Sequence, residues 1–260
     1  MLELAIIKKY FENYCEKSNK VMFDIGAHVG SSSIPFAKKN WKIFCFEPDN
    51  TNFIDLQGTM KFYKNVTCYN IAISDKDENE VPFFISNKHF GIHSLASFHE
   101  THTKKIFIKT RRLDSFVESN HINSIDFLKI DTEGADFLVL QSLNWKLFHP
   151  FIVMAEFMDS RTIPFFNYSL VDTVDYMSNL NYFTYIFEYE PVFEFGQKGV
   201  KTKNPDLIEV YAYSSEKRPK WGNVLFVLKE NKNDFEKVLK KFLFYRKIKT
   251  NIRNFFNMGQ

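Results

Sequence analysis

The sequence predicts an α/β protein: a mostly parallel, doubly wound sheet with a β-rich insertion and flanking N- and C-terminal helices. Three observations predict it. Short apolar runs ending in turn residues alternate with helical patterns from residue 21 to 73, and again from 125 to 157. That rhythm belongs to parallel strands joined by right-handed crossovers. Between about 76 and 115 it gives way to two strand-like runs around a polar, His-rich stretch. Residues 1–20 and 231–260 carry apolar side chains at helical spacing instead. The expected organisation is therefore an N-terminal helix (1–20), one domain (21–230, insertion about 76–115) and a basic C-terminal helical segment (231–260). A chain of 260 residues, 45% of them hydrophobic, suits one sizeable domain elaborated in this way.

Each element follows from local pattern. Leu4, Ile7, Tyr10, Phe11 and Tyr14 repeat at helical spacing in residues 2–17. VMFDIG (21–26) is an apolar run closed by Asp and Gly, hence a buried strand, and residues 31–39 form a helix opened by serines. KIFCFEP (42–48) is a second strand stopped by Pro48, followed by a helix at about 50–60 and a third strand, NVTCYNIAI (65–73). VPFFIS and KIFIKT read as an antiparallel pair in the insertion. IDFLKID (125–131), ADFLVLQSL (135–143) and PFIVMAEF (150–157) restore the strand–helix–strand order. A helix at 169–180 precedes YFTYIFEYEP, and LIEVYAYS and NVLFVLK complete the sheet.

Composition narrows the function classes. The net charge of +3 is balanced along the core, so no nucleic-acid partner is expected. Cys15, Cys45 and Cys68 are widely spaced and form no CxxC pair, which argues against structural zinc or a disulfide framework and for a reducing, cytoplasmic setting. The N-terminus lacks a signal peptide's basic start, and no apolar run nears the roughly 18–20 residues of a membrane span. Residues 231–260 hold eight Lys or Arg against two acids. A docked helix with a solvated basic face accounts for this, and peripheral contact with an anionic membrane is the sharper alternative.

Two motifs point to a nucleoside-containing cofactor. Asp24-Ile-Gly26-Ala-His28-Val-Gly30 lies between a strand and a helix. Gly26 permits a sharp turn, Gly30 a close ligand approach, and Asp24 can accept from a ligand ammonium. His28 and Ser31 border the same turn, whose N–H groups favour an anionic group. Glu47, 21 residues past Gly26, closes the next strand, where a carboxylate can accept both hydroxyls of a ribose. These motifs do not separate NAD from S-adenosylmethionine, although the missing middle glycine tilts away from a dinucleotide.

The third motif is Ile125-Asp126-Phe127-Leu128-Lys129-Ile130-Asp131-Thr132-Glu133-Gly134-Ala135-Asp136. It resembles the IDxLKIDxEGxE signature of FkbM-type methyltransferases, with Asp136 where Glu is usual. The resemblance extends through DIGAHVG, FEPD, Ala72-Ile73-Ser74-Asp75, Arg112-Leu113-Asp114-Ser115 and Pro150 to Glu156, about residues 21–157. It implies a Rossmann-like class I methyltransferase fold, bound S-adenosylmethionine, and a methyl acceptor oxygen on a sugar or another small molecule. Asp24, Gly26, His28, Gly30, Ser31 and Glu47 would hold the cofactor, with Ser74 and Asp75 on its adenine side.

A sugar hydroxyl is too weak an acid to ionise unaided, so a general base or a divalent metal is needed. Asp131, Glu133 and His93 are the candidates for catalysis. Asp131 and Glu156, at adjacent strand ends, are the candidate ligands for Mg²⁺ or Mn²⁺. Glu133 could alternatively cap the helix near Ala135, and Lys129, flanked by Leu128 and Ile130, is expected to pair with an acid. The rival readings are an NAD-dependent oxidoreductase, a nucleic-acid methyltransferase and a non-catalytic domain of a larger glycan-modifying polypeptide. No hydride-transfer constellation or Asn-Pro-Pro-Tyr element supports the first two.

Overall fold

The computed structural model describes residues 2–89, 91–191 and 205–257, with side chains described as far as residue 246. The elements run α1 (Leu2–Tyr14), β1 (Val21–Ile25), α2 (Ile34–Ala37), β2 (Lys42–Phe46), α3 (Asn50–Met60), β3 (Val66–Tyr69), β4 (Ala72–Ile73), β5 (Glu78–Ser86) and β6 (His102–Arg111). They continue with α4 (Leu113–Ser119), β7 (Phe127–Ile130), α5 (Asp136–Gln141), β8 (Ile152–Phe157), α6 (Asp159–Phe166), α7 (Leu170–Asn179), β9 (Tyr182–Tyr189), β10 (Leu207–Ala212), β11 (Gly222–Leu228) and α8 (Lys232–Asn257).

Eight strands form one sheet in the order β10-β9-β11-β8-β7-β1-β2-β3. The run from β8 to β3 is parallel, whereas β11, β9 and β10 join antiparallel at the other side. Every residue of β1 and β7 is buried, which is why both read as unbroken apolar runs. Phe23, Phe46, Tyr69 and Phe116 stack in the core beside them, with Phe46 and Phe116 edge-to-face at 4.8 Å.

Two predicted elements change on folding. The third strand divides: β3 belongs to the main sheet, while β4 pairs parallel with β6 in a separate three-stranded sheet, β4-β6-β5. Asn70 marks the break, its side-chain amide donating to the carbonyls of Glu47 and Pro48 at 2.9 and 3.1 Å. The helix expected over 31–39 shrinks to Ile34–Ala37, because residues 31–33 remain in turns and Pro35 stands in its first turn. The antiparallel pairing of β5 and β6 in the insertion is as the alternation predicts.

Residues Asn19–Leu228 form one compact unit. The N-terminal residues through Ser18 and those from Lys229 form the other, in which Tyr10 packs on Phe235 with ring centroids 5.9 Å apart. Among the described residues, no helix is long and apolar enough to cross a membrane.

Candidate active site

Because β1, β2 and β7 are parallel neighbours, their C-terminal ends open on one edge of the sheet and bring three predicted turns together. Gly26 adopts φ +73°, and a Cβ there would lie 1.9 Å from the Asp131 carbonyl oxygen. Only glycine lets the β1 and β7 turns touch. Gly30 also has a positive φ, but its Cβ would meet Met60 and Leu56. Its freedom serves packing against α3 rather than the close ligand approach expected of it.

Glu47 is 5% exposed and lines a cavity of about 280 Å³. Its two carboxylate oxygens each accept one backbone N–H, from His28 and Asp49, both at 2.9 Å. Burial pushes its pKa up to about 7 despite those bonds. An ionised carboxylate lining the cavity can accept further donors, so a vicinal diol could donate to it. His28, at φ +51°, and Gly26 also line the cavity.

Asp24 departs from its expected role. It is fully buried, accepts from Ser33 Oγ at 2.7 Å and pairs with Lys129 Nζ at 2.9 Å. It is not among the cavity-lining residues, so it anchors Lys129 instead of touching a ligand. Lys129 is itself buried and reaches Asp131 at 3.3 Å. Burial alone would discharge the ammonium, but Asp24 and Asp131 outweigh it and hold the pKa well above the usual lysine range. Replacing Lys129 by Met should therefore destabilise the fold by about 3 kcal/mol, since Asp24 is left buried and unpaired. Urea denaturation measures this, and an unchanged midpoint would refute the pairing argument.

The turn after β7 is organised by Asp136, not by a Glu133 cap. The Asp136 carboxylate accepts from Thr132 Oγ1 at 2.8 Å and from the Glu156 N–H at 3.1 Å. Glu133, at φ +56°, lines the cavity but sends its Oε2 to Arg161. The same Arg161 Nη1 bonds Glu156 Oε2 at 2.8 Å, while Glu156 Oε1 accepts from Trp221 Nε1 at 2.7 Å. Arg161 also stacks over Phe98 of the insertion, 4.5 Å from the ring centroid. Burial holds the Glu133 pKa well above the usual carboxylate range and lifts Glu156 to about 7.

This arrangement bears on the metal reading. Oxygens of Asp131, Glu133 and Glu156 do approach within 4.8 Å of one another. The cation among them, however, is the Arg161 guanidinium, and both Glu156 oxygens are already engaged. A metal would have to displace a buried guanidinium that bridges Glu133 and Glu156 through Nη1. No motif announced Arg161; it sits in DSRTIPFF, a short helix with no signal of its own.

The insertion closes the cavity. Ser94 Oγ donates to the Glu133 carbonyl at 2.9 Å, and His93 lines the wall. His93 Nδ1 accepts the Ser86 N–H at 3.1 Å, and burial lowers its pKa. With Nδ1 accepting that N–H, the neutral ring carries its proton on Nε2, a tautomer ill-suited to act as general base. Ser31, Ser74 and Asp75 do not line the cavity either: Ser74 Oγ donates to Asp75, and Ile71, Ala72 and Ile73 supply an apolar wall there. Of the predicted residues, Gly26, His28, Glu47, His93, Asp131 and Glu133 converge on one cavity.

An open, mostly parallel sheet with these turns at its carboxyl edge is a Rossmann-like, class I methyltransferase fold. The chain belongs to the FkbM methyltransferase family: residues 24–184 match the Methyltransferase FkbM domain. It is 28% identical over 137 residues to the 2-O-methyltransferase NoeI of Sinorhizobium fredii (strain NBRC 101917 / NGR234). That match covers 46% of this chain and 56% of the relative, so the chain spans little more than half of that protein's length. Among solved structures it is similar to the precorrin-6y C5,15-methyltransferase of Geobacter metallireducens GS-15 (11% identity, TM-score 0.44, 86% of each chain). It is also similar to an rRNA methylase of Streptococcus thermophilus (8% identity, TM-score 0.44, 87% and 94% of the chains).

Proposed function

We propose that this protein is an S-adenosylmethionine-dependent O-methyltransferase acting on a hydroxyl group of a sugar or related small molecule. The observation that carries the reading is Glu47: a buried carboxylate pinned by two backbone N–H groups and lining a cavity. That donor and acceptor set suits a ribose diol, and the Phe46 and Ile71–Ile73 wall suits a flat purine. When bound, S-adenosylmethionine supplies a methyl group on a sulfonium, an electrophile that needs no further activation.

The protein's work is alignment and proton removal. Asp131, 38% exposed and at the same cavity, is the group best suited to accept the acceptor's proton. As the oxygen–methyl bond forms, the hydroxyl becomes strongly acidic, so a carboxylate suffices as base. Lys129 fixes Asp131 from one side, and Glu133, held by Arg161, lines the cavity. That the relative NoeI is named a 2-O-methyltransferase favours oxygen as the acceptor atom.

The test is ligand-induced stabilisation followed by transfer. Saturating S-adenosylhomocysteine should raise the Tm by about 5 °C, and NAD should not. Labelled cofactor with a panel of sugars, small-molecule alcohols and RNA should then label a hydroxyl compound. Because Arg161 fills the carboxylate cluster, EDTA should leave that transfer unchanged. Equal stabilisation by NAD would overturn the cofactor assignment. EDTA-sensitive transfer restored by Mg²⁺ would overturn the metal-free mechanism.

A further inference from the structure

Two of the three cysteines, far apart in sequence, meet on the sheet. Cys45 of β2 and Cys68 of β3 are register partners on adjacent parallel strands. Phe44, Phe46 and Tyr69 stack on one face of those strands, so alternation sends both thiols to the other. Neighbouring strands lie about 4.8 Å apart, inside the roughly 4.4–6.8 Å between Cα atoms that a disulfide spans. Among the described residues β3 is the edge strand of the sheet, with no partner strand on its far side to resist a small shift. Both cysteines are reduced, Cys45 is buried and Cys68 is half-buried. Neither lines the cavity.

We propose that Cys45 and Cys68 form a peroxide-responsive dithiol that closes to a disulfide. Burial gives the two sulfurs unequal roles. Cys45 is buried, its sulfur 3.3 Å from Ser33 Oγ, whereas Cys68 is half-buried. Cys68, the more accessible, is the attacking thiolate, and Cys45 resolves. The Cys68 sulfur displaces one oxygen of hydrogen peroxide. The O–O bond breaks, hydroxide leaves, and a sulfenic acid remains. The Cys45 sulfur then attacks the Cys68 sulfur, the S–O bond breaks, and the thiol proton leaves with that oxygen as water. Two thiols and one peroxide yield one disulfide and two waters, the thiols giving up the two electrons that the peroxide takes.

The full chain treated with one equivalent of hydrogen peroxide, then mapped by unreduced proteolysis and intact mass, tests this. The expected product has lost two hydrogens, contains one cross-linked pair of peptides bearing Cys45 and Cys68, and reverts with dithiothreitol. Cys45→Ser should instead accumulate a dimedone-trappable sulfenic acid at Cys68. Cys68→Ser should react at least about tenfold more slowly, having lost the accessible thiol. Cys15→Ser should behave as the parent. Oxygen addition without a link in the parent protein, or a link through Cys15, overturns the proposal, and this result does not depend on any variant folding.

Discussion

Replacing Glu47 by alanine is expected to weaken binding of S-adenosylhomocysteine by about a thousandfold. Two hydroxyls donating to an ionised carboxylate contribute about 1.5–3 kcal/mol each, and about 4 kcal/mol in total corresponds to that factor. Isothermal calorimetry measures it directly. Glu47→Gln should lose less, because the amide oxygen can still serve one of the N–H donors of His28 and Asp49 while its NH₂ opposes the other. The same carboxyl sets a pH dependence. Burial raises it to about 7 in the unliganded protein, and diol donors bind the ionised form. Affinity should therefore climb as pH rises toward 7, by up to about tenfold per unit, and level off above.

The sign for stability is the opposite. The folded pKa lies above an unfolded value of about 4.3. The unliganded protein therefore holds a proton that the unfolded chain releases, and this contribution is lost as pH rises through about 7. Added S-adenosylhomocysteine should reverse that trend by favouring the charged form. An undiminished affinity in Glu47→Ala, or a pH-independent affinity in the parent, would exclude Glu47 as the diol acceptor.

The place of Glu47 at the cavity was legible in the sequence from one local fact: a carboxylate directly follows an apolar run at a strand end. The parallel core was legible for the same kind of reason, since β1, β2, β7 and β8 are apolar runs closed by turn residues. Residues whose roles depend on distant partners were not. Asp24 looks like a ligand contact until Lys129, more than a hundred positions away, is brought beside it by the β1–β7 pairing. Gly30 looks like a ligand glycine until Met60 and Leu56 of α3 fill the space above it. Ser74 and Asp75 follow the correct strand, but the bend at Asn70 presents Ile71, Ala72 and Ile73 to the cavity in their place. Arg161 carries no pattern at all, yet it decides how the Glu133–Glu156 pair is read.

The sharpest test of the chemistry is Asp131→Asn. Asparagine keeps the shape and one acceptor oxygen but cannot take a proton near neutral pH, so turnover should fall by about a hundredfold to ten-thousandfold if Asp131 is the base. Binding of S-adenosylhomocysteine should change little, because Glu47, the proposed diol acceptor, is held by the His28 and Asp49 N–H groups and not by Asp131. Lys129 reaches Asp131 but keeps its shorter contact to Asp24, so the fold should tolerate the change far better than loss of Lys129. Two control substitutions sharpen the assignment. His93→Gln should be mild, since the ring offers the cavity a proton donor rather than a base. Glu156→Gln should also be mild, because that carboxylate is spent on Arg161 and Trp221. Single-turnover transfer to whichever hydroxyl compound the labelled panel identifies separates the cases. Near-parental transfer by Asp131→Asn, with collapse in His93→Gln, would move the base to the insertion and show that the imidazole changes tautomer on binding the acceptor.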